Sequence, residues 1–192
     1  MPSTPLFAPR EFFATRTPSL LGAAAILYLT GVVSVTSGVP FVQQTTGLDL
    51  SLGAALAAVL LGGALGAVGI WVVATALVYL VSQALGGSGS VTRTAANVGW
   101  AAFPLLVVNS VSTATVLALW ATGRLPTVVS SDAMPFWLVA FNGLTGLVGY
   151  LWIGYLLTYA VHDARGLAVG RAGLVSGLVV TVPLLYSVSL LL

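Results

Sequence analysis

Apolar residues fall into five long blocks along the chain, and short polar stretches separate these blocks. A helix that crosses a bilayer needs roughly 20 mainly apolar residues. All five blocks reach that length, so the pattern predicts an all-α, polytopic membrane bundle with five transmembrane helices. The predicted helices cover about residues 18–35, part of 50–85, and about 95–120, 135–160 and 172–191. Residues 1–17 then form a short N-terminal segment, and residues 18–192 form the transmembrane domain.

The second block is longer than one span requires. As a single helix, residues 51–85 would extend roughly 50 Å, whereas the hydrocarbon core is only ~30 Å thick. One long helix with a bend is the favoured interpretation. The alternative is a break near Gly62 and Gly63, which would leave LGAALAAVLL as a short half-buried or interfacial helix. Pro104 in the third helix and Pro183 in the fifth should kink their helices.

Small residues recur at helical spacing in three of the blocks, and in membranes such residues let helices approach closely. Packing within the chain is the favoured interpretation, with a dimer interface or the wall of a pathway as alternatives. The residues are Ala54, Ala58, Gly62 and Gly66 in the second helix, Gly143, Gly146 and Gly149 in the fourth, and Gly173 and Gly177 in the fifth.

The composition supports the membrane assignment. Hydrophobic residues make up 58% of the chain and charged residues 5%, and the mean hydropathy is +1.08. A soluble domain carries about 25% charged residues, so this chain could not cover a water-facing surface. We therefore expect a multi-pass protein of the cell membrane. Because charges of both signs are few, the pI of 9.3 does not indicate a nucleic-acid partner.

The arginines predict the orientation of the bundle, because positive residues concentrate on the cytoplasmic side. With five crossings, five arginines fall on the side of the N-terminus and only Arg124 on the other side. The N-terminus is therefore predicted to be cytoplasmic and the C-terminus external. The first block exceeds the 7–15 residues of a signal-peptide core, so we expect a retained helix. The five arginines are Arg10, Arg16, Arg93, Arg165 and Arg171.

A polar, glycine-rich stretch, LGGSGSVTRT, occupies residues 85–94 between the second and third helices. A phosphate-binding P-loop would need a lysine, and the chain has none. The glycines suit a helix C-cap and a turn. Thr92 or Thr94 is expected to cap the third helix, and Arg93 marks the cytoplasmic side.

Three stretches carry a resemblance to a known family. They are FAPREFF at residues 7–13, LGGSGSVTRTAANVGWAAFPLL at 85–106 and LWIGYLLTYAVHDARGLAVGRA at 151–172. Over essentially its whole length the chain resembles the Yip1 domain family, in its prokaryotic branch. Val91 stands where phenylalanine is commoner in that family. Five helices with a cytoplasmic N-terminus also match.

The resemblance implies a function by association. Eukaryotic members are associated with early secretory traffic, and some bind Rab-type GTPases and partner membrane proteins. Their long cytoplasmic N-terminal region has no counterpart before the first helix here, so GTPase binding is not carried over. The resemblance leaves the role in prokaryotes open.

Few residues could support catalysis. The chain has no cysteine and one histidine, and none of its four carboxylates, Glu11, Asp49, Asp132 and Asp163, is expected deep in a helix. A zinc site needs about three protein ligands. We therefore predict a protein that is not an enzyme, with no catalytic residue, metal site or cofactor.

One dense charge cluster comprises His162, Asp163, Arg165 and Arg171, and Arg93 could join it from the neighbouring loop. It is a candidate contact site for lipid headgroups or a partner protein. The favoured interpretation is a solvated loop whose arginines follow the positive-inside rule and neutralise Asp163.

Neutral polar residues at membrane depth form the second candidate site: Asn97, Asn109, Ser112 and Thr113 in the third helix, and Asn142 in the fourth. They could line a hydrated groove, although such residues more often form hydrogen bonds between helices. The absence of an ionisable residue at this depth argues against an ion-coupled transporter.

Two functional hypotheses remain. The favoured one is a non-enzymatic membrane protein that associates with other membrane proteins or with itself in the lipid bilayer. The alternative is a small transporter, channel or lipid-translocating protein with a polar groove along the third helix. A hydrated groove that reaches Asn109 would favour the alternative.

Overall fold

The computed structural model describes residues 4–47, 50–128 and 134–192, and within these ranges the chain is all α-helical. Five helical spans are long and apolar enough to cross a membrane, and the third of them consists of two helices, α4 and α5. The helices are α1 (Pro9–Thr15), α2 (Leu20–Thr46), α3 (Leu52–Ala84), α4 (Val91–Ala101), α5 (Phe103–Ala121), α6 (Phe136–Arg165) and α7 (Val169–Ser189).

Helix α2 is longer than the sequence predicts. It begins after Ser19, whose Oγ accepts a hydrogen bond from Gly22 N at 3.0 Å, and it continues through Pro40 to Thr46. The prediction ended near residue 35, where hydroxyl residues become frequent. Those hydroxyls bond to their own helix, as Thr36 Oγ1 does to Val32 O at 2.7 Å, and so do not end it.

Helix α3 is continuous from Leu52 to Ala84, as favoured, and it does not break at Gly62 and Gly63. Gly63 instead allows contact with α2, because a Cβ there would lie 2.6 Å from Val32 N. The buried face of α3 contains Val59, Gly63 and Ala67. The predicted stripe is only partly in contact: a Cβ on Gly62 would lie 3.7 Å from the Val35 methyl groups in α2, whereas nothing lies within 4 Å of a Cβ on Gly66.

The third span is interrupted at Ala102, and Pro104 lies in the first turn of α5. This confirms the predicted effect of Pro104. Helix α7, by contrast, continues through Pro183 without interruption.

Helix α6 extends beyond its predicted end at residue 160 and stops at Gly166, which has φ of 62°. The glycines of α6 confirm the packing prediction. A Cβ on Gly143 would lie 3.0 Å from Ser187 O in α7, and one on Gly149 would lie 2.8 Å from a Val108 methyl in α5. In α7 the packing expected of Gly177 is wrong, because a Cβ there would meet nothing within 4 Å.

Helix α1 was not predicted. Its Phe13 is buried, and the Phe12 ring lies 5.4 Å from the Trp100 ring in α4. Just before α1, Leu6 O accepts a hydrogen bond from Trp152 Nε1 in α6 at 3.1 Å. The N-terminal segment is thereby packed against α4 and α6.

The bundle has two ends that differ in charge. We call the end with Arg93, Arg165 and Arg171 the arginine-rich end, and the end with Gly47 and Arg124 the opposite end. Which end is cytoplasmic stays a prediction from the arginine distribution.

Candidate functional site

A cavity of about 600 Å³ lies between α2, α5, α6 and α7, towards the opposite end, and a recess of about 160 Å³ adjoins it. We call the two together the polar cavity. Its polar lining comes from all four helices: Ser34, Ser37, Asn109, Ser112, Thr113, Asn142, Thr145, Tyr150, Tyr186 and Ser187.

Two of the predicted groove residues tie helices together. Ser112 Oγ lies 3.2 Å from Thr145 Oγ1, which links α5 to α6. Thr113 Oγ1 donates to Val33 O at 2.8 Å, which links α5 to α2. For this pair, the favoured interpretation of hydrogen bonds between helices is confirmed.

Asn109 and Asn142 differ from that pair. Both line the polar cavity, and neither side-chain amide has a hydrogen-bond partner among the described residues. Asn142 lies about 9 Å along the helix axis from the start of α6, and Asn109 about 18 Å from the end of α5. An amide at that depth is costly unless another polar group meets it. Asn142 is exposed and Asn109 is half-buried, so both amides are accessible to a molecule in the cavity.

A second cavity of about 290 Å³ lies beside the polar cavity, on the side of the arginine-rich end, and we call it the apolar cavity. Tyr150 and Leu105 line both cavities. The indole nitrogen of Trp71 is already used, since it donates to Ala95 O at 2.8 Å. The rest of the lining is apolar: Leu27, Ile70, Ala74, Val98, Ala102, Ile153, Leu157, Val179, Val180 and Pro183.

Asn97 does not line the polar cavity, unlike the other four residues that were expected to line a possible groove. The interruption at Ala102 separates it from Asn109, and Asn97 is buried against α6. Its Nδ2 donates to Ala160 O at 3.0 Å and to Asp163 Oδ2 at 3.2 Å. Asn97 thus links α4 to the charge cluster.

The charge cluster lies in and around the last turns of α6 rather than in a loop. Arg93 Nη2 lies 2.9 Å from Asp163 Oδ2, so the predicted neutralisation of Asp163 by an arginine is confirmed. His162 Nδ1 is within hydrogen-bond distance of Leu167 O. Arg171 is exposed and donates to Leu85 O at 3.2 Å. A role in binding headgroups or a partner stays a prediction.

Arg165 departs from the sequence interpretation, because it is 1% exposed and not solvated. Its Nε donates to Ser82 Oγ at 2.8 Å, and its Nη atoms donate to Gly89 O at 2.6 Å and Gly87 O at 3.2 Å. The guanidinium carbon lies 4.2 Å from the centroid of the Tyr79 ring. No spacing in the sequence associates Arg165 with residues 79–89, which is why the contact was missed.

The glycine-rich loop forms the predicted C-cap and turn. Gly87 N donates to Ser82 O at 2.8 Å, and Gly86 and Gly89 have φ of 86° and 120°. The predicted cap of the next helix is wrong. Ser90 caps α4 by accepting from Arg93 N at 3.2 Å, because the helix begins at Val91, before Thr92 and Thr94.

Among the described residues, no three His, Cys, Asp or Glu side chains are grouped so that they could bind a metal. Glu11 is exposed on α1. Asp49 and Asp132, which were predicted in helix flanks or loops, lie outside the described residues.

Comparison with known proteins gives one match. The family model of the Yip1 domain matches residues 4–191. No curated protein and no solved structure matches the chain. The matched range contains all five membrane spans and both cavities, and the chain belongs to the Yip1 domain family.

Proposed function

We propose that this Yip1-family chain is a non-catalytic protein of the cell membrane that binds a small polar or amphipathic molecule in the polar cavity. The observation that carries the proposal is the pair of amides, Asn109 and Asn142, which line the cavity without a partner among the described residues. The cavity reaches Asn109. We infer that it is hydrated, and a hydrated groove at Asn109 supports a transporter-like or lipid-handling protein over one that acts only by association.

The size of the polar cavity supports this proposal. Pockets that hold small molecules usually measure about 300–1,000 Å³, and the main part of this cavity measures about 600 Å³. Such pockets place a few polar groups among apolar surfaces to orient the ligand. Here Ser34, Asn109 and Asn142 supply those groups, and Phe41, Val116 and Val139 supply apolar surface.

The lining chemistry favours binding over catalysis. Hydrolysis or group transfer needs a nucleophile with a base, an acid–base pair or a metal. Among the described residues, the cavity is lined by hydroxyl, amide and apolar side chains, with no carboxylate, imidazole, lysine or arginine. Serine and tyrosine hydroxyls without a base are weak nucleophiles, so the lining suits recognition.

Small molecules retained by the purified protein test the proposal. Organic extracts of the wild-type protein are compared by mass spectrometry with those of Asn109→Leu/Asn142→Leu. The double variant removes both free amides while keeping similar side-chain volumes. We expect at least one compound to be enriched with the wild-type protein and depleted about tenfold or more in the double variant, because two hydrogen bonds are lost.

Ser110→Leu is the matched control, since Ser110 is the exposed neighbour of Asn109 and lies outside the cavity lining. Its extract should match that of the wild-type protein. Identical extracts from the wild-type and double-variant proteins would contradict ligand binding in the polar cavity.

Association with another membrane protein is the second candidate function, and an exposed stripe on α3 favours it. Ala54, Ala58 and Gly66 are exposed, and neither Gly66 nor Gly69 has a neighbour within 4 Å of a Cβ position. Another helix could approach closely along this face.

Photo-cross-linking in native membranes tests this second candidate, through a maleimide–benzophenone reagent attached to one introduced cysteine, because the chain has no cysteine of its own. Ala58→Cys should form a specific adduct, whereas Leu144→Cys, exposed on α6, should not. An adduct containing only this chain would indicate self-association. Equal adducts at both positions would argue against a specific contact on α3.

A further inference from the structure

We infer that the ligand of the polar cavity is a lipid-like amphiphile with an uncharged, hydrogen-bonding headgroup and an acyl chain that enters the apolar cavity. The inference rests on the proposed function and names the ligand class. Its basis is the change from polar to apolar lining across Tyr150, which borders both cavities.

The polar cavity specifies the charge of the headgroup. The groups available to a ligand are neutral, namely the Asn109 and Asn142 amides and the Ser34 hydroxyl, and no charged side chain of the described residues lines the cavity. A phosphate or ammonium at membrane depth would lack a counter-ion and carry a large desolvation cost. The hydroxyl groups of a glycerol or a sugar, or a neutral amide group, can form hydrogen bonds with these side chains at a lower desolvation cost.

The apolar cavity specifies the rest of the ligand. Its walls come from α2, α3, α4, α5, α6 and α7. The indole N–H of Trp71, which lines this cavity, already donates to Ala95 O. A polar solute would therefore lose hydrogen bonds on entering, whereas a hydrocarbon chain would gain contact with Leu27, Leu105 and Val179. Tyr150 lines both cavities and carries an aromatic ring as well as a hydroxyl.

The order of the two cavities matches the orientation of a lipid in one leaflet. The polar cavity lies towards the opposite end of the bundle, and the apolar cavity follows it towards the arginine-rich end. A lipid of the leaflet at the opposite end has its headgroup outermost and its chain pointing to the bilayer centre. Such a molecule could occupy both cavities without inverting.

Photolabelling of the full-length protein in phosphatidylcholine vesicles tests the inference. The probe is a monoacylglycerol with a diazirine in its acyl chain, and the comparison is a lysophosphatidylglycerol with the same chain. We expect the neutral probe to label peptides around Leu105 and Val179 about tenfold more than the anionic probe does. Excess unlabelled monoacylglycerol should compete with this labelling.

Variants assign the labelling to the two cavities. Ala74→Trp fills the apolar cavity and should abolish the labelling by the neutral probe. Asn109→Leu should reduce that labelling about fivefold through loss of one hydrogen bond. Ser110→Leu should have no effect. If Ala74→Trp does not fold, Asn109→Leu and Ser110→Leu decide the result.

The inference is overturned if both probes label equally, if labelling spreads along the exposed helix faces, or if Asn109→Leu and Ser110→Leu behave alike. The extraction experiment separates this failure from failure of the proposed function. A polar compound retained through Asn109 and Asn142 without labelling around Leu105 would keep the function and reject the lipid. Absence of both results would reject both.

Discussion

At the scale of single residues, the guanidinium of Arg165 is held by Ser82 Oγ, by the carbonyls of Gly87 and Gly89, and by the face of Tyr79. Within the described part of the chain no carboxylate takes part in this set of contacts, and Asp163 is paired with Arg93. Arg165 therefore connects the end of α6 to the end of α3 and to the loop before α4. Its role in the structure is to fix the arginine-rich end.

Replacing Arg165 by Ala should destabilise the protein strongly. Three hydrogen bonds from a charged donor are lost, and a hydrogen bond to a charged group contributes about 1.5–3 kcal/mol. We expect a loss of at least about 3 kcal/mol, measured by tryptophan fluorescence during denaturation in detergent. Arg171→Ala is the control, and its loss should stay within about 1 kcal/mol because Arg171 is exposed. Similar losses in both variants would contradict the role of Arg165.

Gly89 should be similarly intolerant of a side chain. Its φ of 120° is unfavourable for other residues, and a Cβ would overlap Ala164 O in α6. Gly89→Ala should cost about 1–3 kcal/mol. Gly69→Ala is the control, since this helical glycine has open space around it and alanine is the better helix former. The same denaturation measurement applies, and a stable Gly89→Ala protein would exclude the close contact with α6.

At the scale of helices, the backbones of α2 and α3 touch where Gly31 faces Gly63. A side chain at either position would meet backbone atoms, which cannot rotate away as a flexible side chain can. The close approach of these helices therefore depends on two glycines that are 32 positions apart in the printed sequence.

Gly63→Ala should weaken this contact, because its Cβ would lie 2.6 Å from Val32 N. Overpacking of this kind usually costs about 1–3 kcal/mol. Gly66→Ala, three residues later on the same helix, should cause no loss because nothing lies within 4 Å of its Cβ position. Equal thermal stability of the two variants in detergent would show that α2 and α3 are not in backbone contact.

The helices were more predictable than their ends. Block length and apolarity were sufficient to predict five spans, since both follow from the thickness of the bilayer. The end of α2 was missed because Thr36 bonds to the carbonyl of Val32, so its polarity did not mark a boundary. Helix α1 was missed because Phe13 is buried by tertiary contacts that no local pattern shows.

The candidate site was only partly predictable. Asn109, Ser112, Thr113 and Asn142 could be selected because polar side chains are rare at membrane depth. Two of them form hydrogen bonds to other helices and two keep a free amide, and this difference depends on the distances between helices. Asn97 does not join them because it is buried against α6, and this tertiary contact cannot be read from helical spacing.

At the scale of the whole molecule, the chain has no cysteine, so single introduced cysteines can test both the orientation of the bundle in the membrane and the hydration of the polar cavity. Asn142→Cys should react with a charged, membrane-impermeant thiol reagent added outside intact cells, since it lines the polar cavity towards the opposite end. Ser88→Cys, in the exposed loop before α4, should react only after the cells are permeabilised. Ser110→Cys, outside the cavity, should remain unreactive in both conditions.

The converse pattern, in which Ser88→Cys reacts outside and Asn142→Cys only after permeabilisation, would reverse the predicted orientation. Lack of reaction at Asn142→Cys in both conditions would show that water does not enter the polar cavity. Equal reaction at Ser110→Cys and Asn142→Cys would show that the reagent does not distinguish the cavity from the bilayer-facing surface.

The contacts of Arg165 also set an order of events during synthesis. Arg165 follows its partner Ser82 by 83 residues and Gly89 by 76 residues. At about 5–20 residues per second, a ribosome needs about 4 to 17 s to add those 83 residues. Until Arg165 has been added, α3, the glycine-rich loop and α4 lack the guanidinium, and we expect water to hydrate the carbonyls of Gly87 and Gly89. The arginine-rich end is therefore completed only after the fourth of the five spans has been made.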